Sequence, residues 1–90
     1  MIQIQFIKNE NRAVAYDNNK EIGECEFIET ENVWNIIHTG VDSKYQGKGI
    51  AKDLVNCVIE NAKKWNKNLI SECSYAKKVL ETSNIDRRRG

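Results

Sequence analysis

A glycine-rich turn between a strand-like and a helix-like segment contains the residues of this chain that are best suited to chemistry. An apolar strand-like run ends at Val41, Gly47 and Gly49 follow, and a helical repeat starts at Ile50. The first N–H groups of a helix lack partners within it, and the helix dipole adds positive potential that attracts phosphate. Glycine lets a ligand approach the backbone closely. The segment therefore predicts a phosphate-binding turn, the alternative being a turn that merely starts the helix.

The spacing of this turn excludes two common phosphate-binding motifs. A Walker-type loop needs a glycine where this chain has Asp42, and Ser or Thr where it has Gly49. A dinucleotide-binding fingerprint that began at Gly47 would need a glycine at its sixth position, where this chain has Lys52. The pattern that fits is Gln-x-x-Gly-x-Ala, formed by Gln46, Gly49 and Ala51.

This pattern resembles the coenzyme A (CoA) pyrophosphate loop of the GNAT (GCN5-related N-acetyltransferase) superfamily, which joins the fourth strand to the third helix. Residues 38–41 before the loop and residues 73–77 after it are similar to the small single-domain GNAT-like family, whose members are about as long as this chain. The resemblance covers roughly residues 21–80. Glu72 departs from it, because many members have proline just before the cysteine.

The resemblance implies a protein that binds acetyl-CoA and moves its acetyl group to an unknown amine, on a small molecule or a protein. The ligand's pantetheine arm is expected to pair with the strand that ends at Val41, as an added β-strand would. The residues expected to contact CoA are His38, Thr39, Gly40, Val41, Gln46, Gly47, Lys48, Gly49, Ile50, Ala51, Lys52, Ser74, Tyr75 and Lys78. Two alternatives remain open: a CoA-binding module with little or no transferase activity, and a small domain that binds another anion or nucleic acid.

Three side chains are candidates for catalysis, each with a structural alternative. Cys73 precedes the last helix, where a thiol is activated, so it either accepts the acetyl group or is a small buried residue. His38 is a candidate general base for the amine or for Cys73. Regular alternation would place His38 on the same face as Ile36, which favours a structural role. Tyr75 either protonates the departing thiolate, as the resemblance implies, or packs in the core.

Composition sets the class of protein and its partners. Ninety residues with 40% hydrophobic and 30% charged residues fit one globular domain. The net charge of +1 is low for a nucleic-acid binder, so we expect none as partner. No long apolar run or secretory signal is present, and three cysteines favour a reducing compartment, which predicts a cytoplasmic protein with free thiols. A single histidine excludes a His-rich metal site, and no metal is expected.

The periodicities predict a minimal GNAT-like α+β domain over residues 1–85 and a basic tail over residues 86–90. Its mixed five-stranded sheet has an antiparallel N-terminal half, a βαβ unit and a C-terminal helix. The strands are expected near residues 2–7, 13–16, 21–29, 33–41 and 69–73, and the helices near residues 47–65 and 74–81. In the first helix, spacings of four and three predict an apolar stripe of Ile50, Leu54, Val58, Ala62 and Trp65. The resemblance adds that helices after the first strand are missing, which leaves the acceptor side open. An exposed sheet edge is compatible with a monomer or a weak homodimer.

Overall fold

The N-terminal half of the chain folds into four strands, each antiparallel to the next. The computed structural model describes the backbone of residues 1–89 and the side chains of residues 1–81. The strands are β1 (Ile2–Ile7), β2 (Arg12–Asp17), β3 (Lys20–Thr30) and β4 (Val33–Val41). The turns between them contain asparagines with φ of 56° at Asn11, 49° at Asn18 and 76° at Asn19. Asparagine tolerates this left-handed conformation, which keeps the connections short.

A helix connects β4 to the last strand of the sheet. Helix α1 (Ile50–Lys64) leads into β5 (Asn68–Ser71), which pairs with β4 in parallel, and helix α2 (Ser74–Arg89) follows. The strands lie in the order β1-β2-β3-β4-β5, so β4 and β5 flank the crossover. This mixed five-stranded sheet with its βαβ unit and C-terminal helix confirms the predicted α+β fold. No helix in the described part of the chain has the length and apolar content needed to span a bilayer.

Two helix boundaries differ from the prediction. Helix α1 begins at Ile50 rather than near Gly47, because Gly47 and Gly49 have φ of 80° and 82°, outside the helical region. Helix α2 continues to Arg89 rather than ending near residue 81, because no glycine or proline interrupts the chain before Gly90. The backbone of residues 86–89 of the predicted tail therefore belongs to α2, and Gly90 lies outside the described residues.

Both helices pack on one face of the sheet, which we call the inner face. It carries Ala13, Cys25, Phe27 and Ile36, and Ala76 of α2 joins the same core. The side chains that α1 buries against this face are Ile50, Leu54, Val55, Val58, Ile59 and Ala62. The predicted apolar stripe of α1 is confirmed from Ile50 to Ala62.

Trp65 was predicted to end that stripe, but its side chain is 49% exposed. Helix α1 ends at Lys64, and Trp65 is its C-cap residue, so the Trp65 side chain lies at the rim of the core rather than in the apolar stripe. The Nζ atom of Lys8 lies 5.6 Å from its ring centroid. Trp65 is therefore a partly exposed rim residue rather than a core residue.

A buried tryptophan and two lysines surround one carboxylate at the edge of the core. Glu29 Oε1 accepts from Lys8 at 3.1 Å, and its Oε2 lies 3.2 Å from the Nζ of Lys67. The indole N–H of Trp34 also faces this carboxylate. Trp34 and then the two lysines lower the pKa of Glu29 from 4.5 to about 2.

Replacing Glu29 should therefore change how stability depends on pH. A depressed carboxyl pKa stabilises the fold above the unfolded value of 4.5, and this contribution is lost as the pH falls towards about 2. We expect Glu29→Gln to lower the free energy of unfolding at pH 7, with a loss that shrinks steadily at pH 4 and pH 3 in urea titrations. The control is Glu60→Gln, which alters an exposed i,i+3 pair with Lys63. A Glu29→Gln loss that is the same at all three pH values would contradict this account.

Candidate active site

A β-bulge in β4 determines which side chains reach each face of the sheet. His38 pairs with Glu26 of β3, and the next pair joins Ile36 to Phe27, so Ile37 is an extra residue. Ile36 is fully buried on the inner face, whereas the His38 side chain is 56% exposed on the opposite, outer face. The expectation that Ile36 and His38 share a face was wrong, because it assumed a regular strand.

The bulge also marks the point where β4 and β5 separate. Their parallel pairing ends with Ile36 and Ser71, although β4 continues to Val41. Beyond this point the chain curls back onto β4, since the backbone N–H groups of Glu72 and Cys73 both donate to the carbonyl of Ile36, at 2.9 and 3.3 Å. In the described part of the chain, residues 37–41 therefore have β3 on one side and no strand on the other.

A short ordered turn leads from β4 to the first helix. The backbone N–H of Asp42 donates to the carbonyl of Ile22 at 2.7 Å, which anchors the end of β4 to β3. The Asp42 carboxylate then accepts from the backbone N–H of Lys44 at 3.1 Å and caps one turn of 3-10 helix, Ser43–Tyr45. The amide of Gln46 reaches back to the carbonyl of Val41 at 3.4 Å. These bonds fix the position of the glycines that follow.

The start of α1 presents unpaired backbone donors. Gly49 is the N-cap residue, in a left-handed conformation that suits glycine, and no side chain caps the helix there. The first intrahelical bond runs from the N–H of Asp53 to the carbonyl of Gly49, at 3.1 Å. The N–H groups of residues 50–52 therefore have no acceptor in the helix. They form a compact set of donors at the positive end of the helix dipole.

These donors lie beside a groove of about 490 Å³ that runs from the end of β4 to the first turn of α2. The residues that line it are Thr39, Gly40, Val41, Tyr45, Gln46, Gly47, Gly49, Ile50, Ala51 and Tyr75. All except Tyr45 are among the predicted CoA contacts. The fold thus brings these predicted contacts together around one groove.

Tyr45 is the groove residue that the sequence analysis did not select. Its phenol O–H donates to Asp17, 28 positions earlier in the chain, which holds the ring against the rim of the groove. This bond lowers the pKa of Asp17 and raises the pKa of Tyr45. The Nζ atom of Lys48 lies 5.9 Å from the Tyr45 ring centroid. The position of Tyr45 directly before the Gln-x-x-Gly-x-Ala pattern was the sequence signal that could have identified it as a groove residue.

The remaining predicted contacts lie around the groove rather than in its lining. Lys48 and Lys52 are exposed beside the glycine turn and in the first turn of α1. Ser74 and Lys78 are exposed in the first two turns of α2. His38 lies on the outer face, behind Gly40. A bound ligand could recruit the long lysines, whereas His38 can act only from the outer face.

Cys73 occupies the junction between β5 and α2 and packs partly against the core. Its backbone N–H and carbonyl both bond the hydroxyl of Ser71, at 2.9 and 2.8 Å, which fixes the junction. Burial alone would raise the pKa of Cys73, but hydrogen bonds from the N–H groups of Ala76 and Tyr75 and from Thr39 outweigh it. The net result is a pKa below the ordinary 9.0. The position is therefore suited to a reactive thiolate.

His38 lies over a glycine and beside a carboxylate on the outer face. A Cβ atom on Gly40 would be 2.9 Å from His38 Nε2, so the missing side chain makes room for the imidazole. The same Nε2 lies 3.9 Å from Oε2 of Glu24, the cross-strand partner of Gly40. Because Cys73 packs on the inner side, the geometry favours His38 as a base for an incoming amine over a role in assisting Cys73.

The described side chains include no group of three His, Cys, Asp or Glu that could hold a metal ion. The groups around the groove that can do chemistry are backbone donors, the Cys73 thiol, the His38 imidazole and the Tyr75 phenol.

A family model described as GCN5-related N-acetyl-transferase matches residues 12–86. The chain belongs to this family. It is also similar to a GCN5-like protein from Staphylococcus aureus, solved in solution by NMR, with 33% identity over 91% of this chain and 80% of that one, and a TM-score of 0.69. No curated protein sequence matches the chain.

Two further solved structures share the fold of this GCN5-related protein. One is the PaiA N-acetyltransferase of Thermoplasma acidophilum in complex with coenzyme A, with 21% identity, a TM-score of 0.59, and coverage of 62% of this chain and 35% of that one. The other is a ribosomal-protein-alanine N-acetyltransferase from Brucella melitensis, with 20% identity, a TM-score of 0.62, and coverage of 79% and 60%. This chain thus spans 35% of the Thermoplasma enzyme and 60% of the Brucella enzyme.

Gly23 of β3 and Gly40 of β4, which lie close to each other, should differ in their tolerance of a side chain. A Cβ on Gly23 would lie 3.0 Å from the carbonyl of Gly40 and 3.2 Å from Leu54 and Val41, where backbone and core cannot yield easily. We expect Gly23→Ala to cost about 1–3 kcal/mol in urea unfolding. Gly40→Ala meets only the movable imidazole of His38, so its cost should stay within about 0.5 kcal/mol. Equal losses for the two variants would contradict the described packing.

Proposed function

We propose that this GCN5-related protein binds acetyl-CoA and transfers the acetyl group to an amine. The observation that carries the proposal is the set of unpaired N–H groups at the start of α1, which faces a groove that continues along the open edge of β4. Family membership supports the chemistry, and the complex of the Thermoplasma enzyme with coenzyme A supports the ligand for this fold.

The diphosphate of the ligand is assigned to the glycine turn. The N–H groups of residues 50–52 would donate to its oxygens, and hydrogen bonds to a charged acceptor contribute about 1.5–3 kcal/mol each. Lys48 and Lys52 would add positive charge from the rim. The pantetheine arm would lie against residues 39–41, whose open edge can accept it as a further strand. In this arrangement the thioester of acetyl-CoA would lie near the point where β4 and β5 separate.

Transfer needs an oxyanion donor, a base and an acid. An amine, deprotonated by His38, would attack the thioester carbonyl, whose oxygen would be stabilised by a backbone N–H near Val41. Collapse would break the bond between carbon and sulfur, form the amide and release CoA. Tyr75, which lines the groove in the first turn of α2, would give the departing thiolate its proton.

Cys73 offers a two-step version of the same reaction. Its thiolate would attack the thioester, forming an acetyl-cysteine and releasing CoA, and the amine would then take the acetyl group and restore the thiol. The lowered pKa of Cys73 supports this route. Its structural alternative, a small residue that fills the junction, is supported by the contact of Cys73 with the core.

A second candidate function is CoA binding without efficient transfer. The support for it is that this chain spans only 35% and 60% of the two longer N-acetyltransferases that it resembles. A groove for CoA and a site for the acceptor are separate requirements, and the groove beside the glycine turn is assigned to the first.

We expect steady release of free CoA when the protein is incubated with acetyl-CoA and a panel of primary amines that includes polyamines, aminoglycosides and peptide N-termini. His38→Ala should lower turnover by about 10²-fold or more, the usual size of a general-base contribution, and leave the CoA dissociation constant within about twofold.

Intact-mass measurements with acetyl-CoA alone distinguish the two chemical routes. An acetyl adduct on the wild type that is absent from Cys73→Ala supports the two-step route, and turnover that survives in Cys73→Ala supports direct attack. CoA binding without turnover for any amine would favour the second candidate function. Failure to bind CoA at all would overturn both.

A further inference from the structure

The segment between β4 and α1 is anchored to strands β2 and β3 at two points. The backbone N–H of Asp42 donates to the carbonyl of Ile22 in β3, at 2.7 Å. Three residues later, the phenol O–H of Tyr45 donates to the carboxylate of Asp17, the last residue of β2. A main-chain bond thus fixes the start of the segment. A side-chain bond fixes its end, directly before the glycine turn of residues 46–49.

The glycine turn depends on these anchors because its own packing is sparse. Gly47 and Gly49 have φ of 80° and 82°. A Cβ atom built on either glycine would meet no heavy atom within 4 Å beyond its chain neighbours. Glycine also has the greatest backbone freedom of all residues. The order of the turn must therefore come from its two ends, which are the start of α1 on one side and Tyr45 on the other.

Asp17 ties Tyr45 to an ordered part of the sheet. The backbone of Asp17 pairs with Ile2 of β1 on one side and with Lys20 of β3 on the other. Its side chain is only 26% exposed, so the carboxylate has little freedom to follow a moving loop. The bond between Asp17 and Tyr45 therefore transmits the rigidity of three strands to the end of the segment.

The Tyr45 ring lies between this anchor and the groove. The ring packs partly against the core and lines the groove. The Nζ atom of Lys48 lies 5.9 Å from the ring centroid, within the range of a cation–π contact. The bond to Asp17 thus also fixes the aromatic surface against which a cation of the glycine turn rests.

We propose that Asp17 and Tyr45 are positioning residues for the diphosphate of CoA. Their bond keeps the glycine turn ordered in the free protein, so that the ligand does not have to order it. Such preorganisation raises affinity because less conformational entropy is lost on binding. The role in binding rests on the proposed function, whereas the order of the turn does not.

The order of the turn is measured by ¹⁵N relaxation of the free protein. Tyr45→Phe keeps the ring and removes the O–H. Tyr16→Phe is the matched control, because it removes a phenol O–H that lies beside Gln3 on the outer face. We expect the order parameters of the turn's glycine amides to fall from about 0.85 towards about 0.6 in Tyr45→Phe and to stay unchanged in the control. Unchanged values in both variants would overturn the proposal.

A double-mutant cycle tests whether Asp17 acts through Tyr45. Asp17→Ala should loosen the turn as Tyr45→Phe does, and the double variant should be no more mobile than the single ones, because all three lack the same bond. Additive losses of order would contradict action through one bond. The other oxygen of Asp17 lies 3.2 Å from the backbone nitrogen of Met1, so Tyr45→Phe, which leaves that contact in place, is the decisive variant.

The effect on binding is measured by calorimetry with CoA. We expect Tyr45→Phe to bind CoA about tenfold more weakly than the wild type, which is the cost of ordering about one further backbone residue. The Tyr16→Phe control should stay within about twofold of the wild type. A more mobile turn with unchanged CoA affinity would overturn the positioning role.

The urea unfolding midpoint of each variant identifies any that fails to fold, and Tyr45→Phe decides the proposal if Asp17→Ala does. A wild type that binds no CoA would refute the proposed function. In that protein, a turn that loosens in Tyr45→Phe would leave the anchoring of the glycine turn intact.

Discussion

The extra residue Ile37 in β4 is the constraint on which the rest of the site depends. Up to Ile36, β4 is an inner strand with partners on both sides, and beyond it the strand has only β3. The bulge reverses the alternation of side chains, so that Thr39 points inward to Cys25 and His38 points outward over Gly40. Without the bulge, regular alternation would direct His38 into the core. One inserted residue thus sorts the reactive groups between the two faces, at the point where β4 and β5 separate.

The second element of the site is built from backbone rather than side chains. The left-handed conformation of Gly47 and Gly49 turns the chain so that α1 starts with free N–H groups at the mouth of the groove. The anchoring bonds of Asp42 and Gln46 hold that turn against the end of β4. Because main-chain donors do not depend on neighbouring side chains, a small domain can bind a large ligand with few dedicated residues. These two positions need residues that tolerate a left-handed backbone, and glycine does so at the lowest cost.

Much of the fold could be predicted from the sequence because its signals are local. Alternation and turn residues identify the strands, and the spacing of α1 identifies its buried side, so the mixed sheet and the βαβ unit followed. The groove was predictable for a similar reason, since the residues from Gln46 to Ala51 are contiguous and their geometry is set by the glycines.

The unpredicted features depend on contacts that no local pattern encodes. The position of the bulge is invisible in the sequence, because β4 has plausible side chains for either face on both sides of Ile37. Tyr45 is held by Asp17, far away in the chain, and the contact of Thr39 with Cys25 requires β3 and β4 to be in register. Trp65 was assigned to the core by spacing, although the helix ends one residue before it. Tertiary structure decides these points.

The proposed function depends on backbone N–H groups at the start of α1 that hold the diphosphate of CoA. The most direct test is the CoA dissociation constant of Ala51→Pro compared with Ala51→Ser, measured by calorimetry. Proline is tolerated in the first helical turn and removes one of the proposed donors without breaking an intrahelical bond, whereas serine keeps it. The account predicts binding about tenfold or more weaker for Ala51→Pro than for Ala51→Ser, with equal helix content by circular dichroism. Equal affinities in two folded variants would contradict it.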